Sequence, residues 1–367
     1  MTRKRKFNLF GLGEGGSRIA DELYKKMKSH HDINLSFINT ASQDLEKHKG
    51  DNILMLEGEG TGKRIEKGIT IVANHSEEIQ NFVEAITAEN KVHFHMIIAC
   101  LGGGSGSTIF DKVVESLPSH EKIVAILVLP ELSEEIPANP NSFLNLQRIY
   151  FKYSSKLSNM IIIDNDELFK SFSKTVDVEN YYDKANDFLT HRLDSIFSLD
   201  GFTSQTHSSV DNNEIDEVLF SGNGCFKCYS IKFEELTNEM VEGIFEQFIE
   251  VDTDIFQVGN WKSAKRVLAF IEYKNQQCID MKRFFRLQEI IKKKVKNTYF
   301  AFSAKISKEL DLNYAITIFA NGLDLPTKRI SKISKEAKRS LVLLREKNDK
   351  TKDKEVFKKE KGFNFKF

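Results

Sequence analysis

Leu101-Gly-Gly-Gly-Ser-Gly-Ser-Thr108 decides how this chain is read. It follows the apolar run Met96–Cys100 and opens an amphipathic stretch, so the local order is strand, glycines, helix. Glycines in that place let the backbone turn and remove side chains, so a ligand can approach the main chain. The exposed N–H groups and the helix N-terminus then form an anion site. Ser105, Ser107 and Thr108 are expected to add hydroxyl donors. A diphosphate or triphosphate is the natural guest.

Working outward, the first 165 residues alternate apolar runs with amphipathic segments. The runs are Phe7–Leu12, Leu35–Asn39, Ile53–Leu56, Met96–Leu101, Ile123–Leu129 and Met160–Ile163. Most are continuous, as in strands covered on both faces. Helices are expected over Ser17–Lys28, Glu66–Ala88, Thr108–Leu117 and Ser142–Leu157. The alternation predicts a parallel sheet with helices on both sides and ligands at the carboxyl ends of its strands.

Two more glycine loops follow strands. Gly11-Leu-Gly-Glu-Gly-Gly16 fits the G-x-G-x-x-G dinucleotide pattern, but the acidic ribose ligand expected about 20 residues on is absent from its place. Glu57-Gly-Glu-Gly-Thr-Gly-Lys63 resembles a P-loop and fails: Glu57 stands where glycine is needed, and Arg64 stands where Ser or Thr would bind magnesium. Three glycine loops without a Walker lysine predict phosphate held mainly by backbone amides.

A long helix is expected over Asp177–Ser198, then a polar loop, Asp200–Asn213. Beyond it Cys225–Phe233, Arg266–Tyr273, Tyr299–Ile306 and Tyr314–Phe319 alternate apolar and polar residues, with helical segments Glu235–Ile249 and Asp280–Lys296 between them. This reads as a second, α+β domain. Ile330, Ile333, Ala337, Leu341 and Leu344 mark a last helix after Pro326. The expected organisation is a nucleotide domain (1–176), a connecting helix (177–199), an α+β domain (200–325), a C-terminal helix (326–346) and a flexible basic tail (347–367).

These loops resemble the tubulin/FtsZ superfamily of polymerising GTPases, and within it most of all the TubZ branch, plasmid- and phage-encoded relatives used in DNA segregation. Gly102–Thr108 is similar to the signature GGGTGTG, with serines for the threonines and Thr108 for the last glycine. Gly11–Ser17 resembles the first nucleotide loop, and Asn39-Thr40 with Gln43 resembles the NT-x-x-Q pattern of the second. The resemblance implies a tubulin/FtsZ-like fold and GTP or GDP as ligand, with nucleotide-bound Mg2+ and no protein metal site. It implies phosphate contacts at Gly13, Glu14, Gly15, Gly16, Gly60, Thr61, Gly62, Gly103, Gly104, Ser105, Gly106 and Ser107. Ribose and base contacts are implied at Asn39, Thr40, Gln43, Glu134, Asn165, Tyr182 and Asn186.

The resemblance also makes Asp211 and Glu214 catalytic, completing the nucleotide site of the next subunit in a head-to-tail filament. Read without it, Asp211-Asn-Asn-Glu214 is close to a helix capping box, and both roles can hold. A small DNA-binding adaptor on a centromere-like site is implied as partner of the C-terminal tail. Lys335–Phe367 carries 12 Lys/Arg and 6 Asp/Glu, and Lys361-Gly-Phe-Asn-Phe-Lys-Phe367 reads as a short docking motif. Two alternatives remain open: a Rossmann-type NAD-dependent oxidoreductase, which explains the first glycine loop only, and a non-hydrolysing nucleotide-binding module of the same fold.

Composition narrows the classes. The chain has 367 residues, 53 Lys+Arg against 53 Asp+Glu, 40% hydrophobic and 29% charged residues, which fits a globular protein and argues against a whole-surface polyanion binder. Four cysteines exclude a disulfide scaffold, and no apolar run reaches the roughly 18 residues of a membrane span. A cytoplasmic location without a membrane partner is expected. Cys225-x-x-Cys228 is not expected to bind zinc, because residues three apart on a strand point to opposite faces. His93-x-His95 is expected to be structural.

Overall fold

The computed structural model describes residues 4–46, 48, 52–88, 91–134, 137–172, 176–177, 180–202, 209–249, 254–274, 279–295, 298–307 and 310–350. Its first half runs β1 (Lys6–Leu12), α1 (Gly13–Met27), β2 (Asp32–Ala41), α2 (Ser42–Leu45), β3 (Asn52–Gly58), α3 (Ile65–Asn74), α4 (Ser76–Ala88), β4 (Phe94–Cys100), α5 (Gly106–Ser116), β5 (Ile123–Leu129), α6 (Ala138–Tyr153), β6 (Asn159–Asp164) and α7 (Asn165–Phe172). The second half runs α8 (Tyr181–Phe197), α9 (Asn212–Phe220), β7 (Cys225–Phe233), α10 (Asn238–Gly243), β8 (Arg266–Tyr273), α11 (Met281–Lys294), β9 (Tyr299–Ile306), β10 (Tyr314–Leu323) and α12 (Thr327–Lys350).

The ten strands form one sheet in the order β3-β2-β1-β4-β5-β6-β7-β10-β8-β9. The first six are all parallel and lie in doubly wound order. β10 is antiparallel to both β7 and β8, while β8 and β9 are parallel. The two halves meet at a single register pair, Met160 with Cys225. The sheet that the sequence suggested as belonging to a second domain is therefore continuous with the first.

Continuous apolar runs become central strands because helices cover both faces. All seven residues of β5 are buried. Along β4, Ile97 and Ala99 join the apolar cluster on one face, and Met96 and Ile98 join the cluster on the other. Cys225 and Cys228 divide between the same two clusters, so they cannot share a metal. Burial pushes the Cys228 thiol up to about 12.

Several expected boundaries move: the helices expected from Asp177 and Ser142 begin at Tyr181 and Ala138, and β10 runs on to Leu323. The helix expected over Glu66–Ala88 breaks into α3 and α4 at His75 (φ −106°, ψ 20°), flanked by Asn74 and Ser76, residue types that favour helix ends over helix interiors. The segment Glu235–Ile249 is α10 followed by a turn of π-helix, Ile244–Ile249. α12 runs on to Lys350, beyond residue 346; residues 351–367, with the proposed docking motif, lie outside the described residues. No described helix is long and apolar enough to cross a membrane.

Candidate functional site

The glycine loops converge at the carboxyl edge of the parallel sheet and interlock there. A Cβ on Gly106 would sit 2.5 Å from the Leu12 carbonyl oxygen, and one on Gly13 would sit 2.8 Å from the Gly106 amide nitrogen. The N-termini of α1 and α5 therefore meet at one point. A Cβ on Gly104 would lie 2.6 Å from the Arg64 carbonyl oxygen, and one on Gly16 would lie 2.4 Å from that of Ile98. Those glycines are required by neighbouring backbone. Gly103 differs: a Cβ there would meet nothing within 4 Å. It lies three residues before α5, a setting that favours an anion.

Hydroxyls from three loops meet at Ser105. Its Oγ lies 2.6 Å from Thr40 Oγ1 and 3.2 Å from Thr61 Oγ1. Gly60 N–H donates to the Thr40 carbonyl at 2.7 Å, which holds the 57–63 loop against β2. Gly58, Gly60 and Gly62 all take positive φ, so this loop needs its glycines for their backbone conformation. Ser107 and Thr108 stand in the first turn of α5. Their hydroxyls donate to the carbonyls of Gly103 (3.0 Å) and Gly104 (2.7 Å), because inside a helix such side chains bond back to the preceding turn. The Glu14 carboxylate turns to Arg18 at 3.2 Å, so only its backbone amide can face an anion.

Beside the phosphate cradle is a cleft of about 440 Å³ whose lining includes Glu14, Arg18, Asp44, His48, Tyr182 and Asn186. Tyr182 and Asn186 reach it from α8. Asn39 on β2 donates to Asp44 at 3.1 Å and accepts from Thr40 N–H at 2.7 Å. Gln43 is exposed on α2, and Asn165 is half-buried at the start of α7. Glu134 accepts from Lys63 at 3.1 Å across the mouth of the site. Its neighbour Glu131 meets the Tyr181 hydroxyl at 3.5 Å, and burial raises its carboxyl above the usual range.

Two supports were not anticipated. α6 carries asparagines that hold three loops: Asn141 donates to the carbonyls of Lys63 (2.8 Å) and Gly102 (3.0 Å), Asn145 to Leu101 (3.0 Å) and Asn139 to Leu132 (3.1 Å). Asparagine is a poor helix former, so three of them in N-P-N-S-F-L-N was the available signal. The second support is Arg329 of α12, buried with 3% exposure. It donates to the Pro130 carbonyl at 2.7 Å and pairs with Asp164 at 2.7 Å. Asp164 accepts from Asp166 N–H at 3.0 Å, and Asp166 accepts from Leu132 N–H at 3.2 Å. Burial raises the Asp164 carboxyl against the pull of Arg329. One C-terminal side chain thus fixes the loops carrying Glu134 and Asn165.

Asp211 and Glu214 lie at the opposite edge. They form a full capping box at the start of α9: Glu214 N–H donates to Asp211 at 2.9 Å, and Asp211 N–H donates to Glu214 at 3.0 Å. α9 packs where strands begin. Arg266, first in β8, pairs with its Glu217 at 2.7 Å; Asn159, first in β6, donates to the Leu219 carbonyl at 2.7 Å. Arg5, just before β1, pairs with Asp216 at 2.8 Å and donates to the carbonyl of Phe197. Burial and the carboxylates of Glu214, Glu217 and Asp211 raise the Tyr299 hydroxyl. About 20 Å of strand separates this edge from the glycine loops. His93 and His95 serve the scaffold: Lys6 N–H donates to His93 at 2.9 Å, and His95 lies 3.2 Å from the Asn8 amide.

Known proteins share both sequence and fold with this chain. A profile described as Tubulin/FtsZ family, GTPase domain, matches residues 7–173. The tubulin-like protein CetZ4 of Haloferax volcanii is 27% identical over 260 residues, covering 66% of this chain and 64% of that protein, less than two-thirds of its length. GDP-form protofilaments of Bacillus thuringiensis serovar israelensis TubZ share the fold with TM-score 0.76 at 15% identity, over 96% of this chain and 93% of that one. A GTPγS-bound protofilament of Haloferax volcanii CetZ2 gives 0.70 at 17%, over 93% and 99%. The likeness is divided between TubZ and CetZ and does not select the TubZ branch. Residues 7–173 thus match the model of the Tubulin/FtsZ-family GTPase domain, in a chain that has the tubulin/FtsZ-like fold over nearly its whole length.

Proposed function

We propose that this chain binds GTP at the carboxyl edge of its sheet and hydrolyses it when a second copy docks head to tail. The observation that carries this reading is that the glycine loops and the Asp211–Glu214 pair stand on opposite edges of one molecule. The phosphates lie against the N-termini of α1 and α5, and amides of Gly13–Gly16 and Gly103–Ser107 stabilise the charge that develops on the γ-phosphate. Mg2+ carried by the nucleotide would supply charge neutralisation at its phosphates, beside the amides of the glycine loops. Asp211 and Glu214 of the next copy orient and polarise the attacking water. Tyr182 and Asn186 line the base cleft, with Asn39, Gln43, Glu134 and Asn165 around it. A contact between unlike edges does not close, so it propagates as a filament. Protofilaments of the TubZ and CetZ2 structures support such self-association.

Segregation of plasmid or phage DNA, through a small DNA-binding adaptor held by the basic C-terminal segment, is the finer reading. Its support is the resemblance to TubZ and the excess of lysine after residue 335. Deleting Lys361–Phe367 should leave polymerisation intact and abolish recruitment to adaptor-bound DNA. Unchanged recruitment would remove that role.

Light scattering with parallel phosphate release tests the main reading. GTP, but not ATP, should give a rise above a critical concentration, and a slowly hydrolysed GTP analogue should prolong it. GTP binding without scattering or phosphate release would leave a non-hydrolysing nucleotide module.

A further inference from the structure

Lys63 is the one cationic residue within the three glycine loops. Arg64, next to it, turns its Nε toward the Thr61 carbonyl at 3.5 Å, and Arg18 of α1 reaches the Glu14 carboxylate. Lys63 instead crosses the mouth of the site, where its Nζ donates to Glu134 Oε1 at 3.1 Å.

The backbone of Lys63 is fixed. It follows Gly62 (φ 58°) and stands in the left-handed region itself, at φ 61°. A residue with a Cβ is strained there, whereas glycine takes that shape freely. Strain of this kind points to a side chain with a task. The Lys63 carbonyl accepts from Asn141 Nδ2 at 2.8 Å, and the same nitrogen donates to the Gly102 carbonyl at 3.0 Å. One amide thus clamps the lysine beside the phosphate cradle, next to Gly103 and the open space there.

The two side chains are free to part. Lys63 is 42% exposed and Glu134 36%, and an ion pair at such exposure is weak. Both charges nevertheless act inside the nucleotide site. Burial pushes the Cys100 thiol, which sits under Gly15, up to about 12, and Glu134 adds to that push. Burial also raises the Tyr182 hydroxyl in the base cleft; Glu134 adds to this rise and Lys63 opposes it.

We propose that Lys63 is a phosphate ligand held off by Glu134: when a guanine nucleotide enters, the ammonium leaves the carboxylate and binds the phosphate chain. The inference rests on the GTP reading above. Linked phosphates carry more negative charge than one carboxylate, so they outcompete Glu134 for the ammonium. The carboxylate left behind then opposes the bound phosphates. The two members of this ion pair therefore act on nucleotide affinity with opposite signs.

The test is equilibrium binding of GTPγS to the full chain and to three variants. Lys63→Gln should weaken binding at least about tenfold. Glu134→Gln should tighten it about threefold or more, because no pair has to break. That gain should shrink in the doubly substituted Lys63→Gln, Glu134→Gln chain, where no ammonium is exchanged. All three should melt like the parent, since both side chains are exposed. Weakening by both single variants would make the pair a plain latch on the mouth and overturn the proposal. Parental affinity in Lys63→Gln, or a Glu134→Gln gain undiminished in the double variant, would overturn it as well. A parent chain that binds no GTPγS would instead refute the GTP reading, and this inference with it.

Discussion

The two edges of the parallel sheet are built from opposite materials. At the carboxyl edge the side chains have been removed: Gly13, Gly16, Gly104 and Gly106 press against neighbouring backbone, and Gly103 opens onto empty space. At the amino edge the side chains are present and engaged: Asp211 with Glu214, Arg5 with Asp216, Arg266 with Glu217. The first edge offers amides and helix dipoles to an anion. The second offers carboxylates held rigidly on a capped helix. Under the proposed function each edge supplies half of a hydrolytic site, and a second copy is what would bring the halves together.

The largest expected effect breaks the first edge. Gly106→Val places a side chain 2.5 Å from the Leu12 carbonyl, so α1 and α5 must part; stability should fall by about 1–3 kcal/mol and GTP binding should vanish. Gly103→Asp has room within the protein, so its melting should be almost unchanged, within about 0.5 kcal/mol. Its carboxylate repels phosphate, and GTP affinity should drop about 100-fold or more. Equal destabilisation by the two substitutions would show that Gly103 is a packing residue like the others.

Asp211→Asn sharpens the second edge. Asparagine caps a helix as well as aspartate does, whereas alanine costs about 1 kcal/mol. The asparagine variant should melt like the parent, bind GTP and polymerise, yet release phosphate about 100-fold more slowly. Hydrolysis at the parental rate would leave Asp211 as a cap alone.

Arg329→Lys probes the support of the first edge. A lysine cannot both pair with Asp164 and donate in the same plane to the Pro130 carbonyl. KM for GTP should rise about fivefold with a smaller change in kcat; an equal fall in kcat and kcat/KM would place its effect in the transition state instead.

The smallest effect is acid loosening of the amino edge. Burial holds His31, before β2, and His95, near the start of β4, down to about 4 from an ordinary 6.5. Each is depressed on folding, so its contribution is fully present above about pH 6.5 and is lost as pH falls toward 4. Amide exchange around Arg5 and His31 should therefore quicken by pH 5 before the glycine loops respond. Simultaneous loosening of both edges would contradict the assignment.

The parts of this fold that follow local rules were legible in the sequence. Continuous apolar runs such as Ile123–Leu129 gave the parallel strands, and Asp211-x-x-Glu214 announced the capping box that the structure contains. Parts that depend on distant partners were not. Arg329 and Pro130 are 199 residues apart, and nothing local marks the pair. The two halves of the sheet join through the pair Met160 with Cys225 and a bridge from Ile163 to Phe256, which no periodicity reveals. The back-bonds of the Ser107 and Thr108 hydroxyls were hidden too, because a loop residue and a first-turn helix residue look alike until the helix start at Gly106 is known.

Mixing two inactive chains tests the central claim most directly. Gly103→Asp keeps its Asp211 and Glu214 but cannot hold GTP; Asp211→Asn holds GTP but lacks the carboxylate. If one chain completes the site of the next, the mixture should release phosphate well above the sum of the two separate rates, most strongly near equal proportions. A mixture no faster than that sum would contradict a site shared between the two edges.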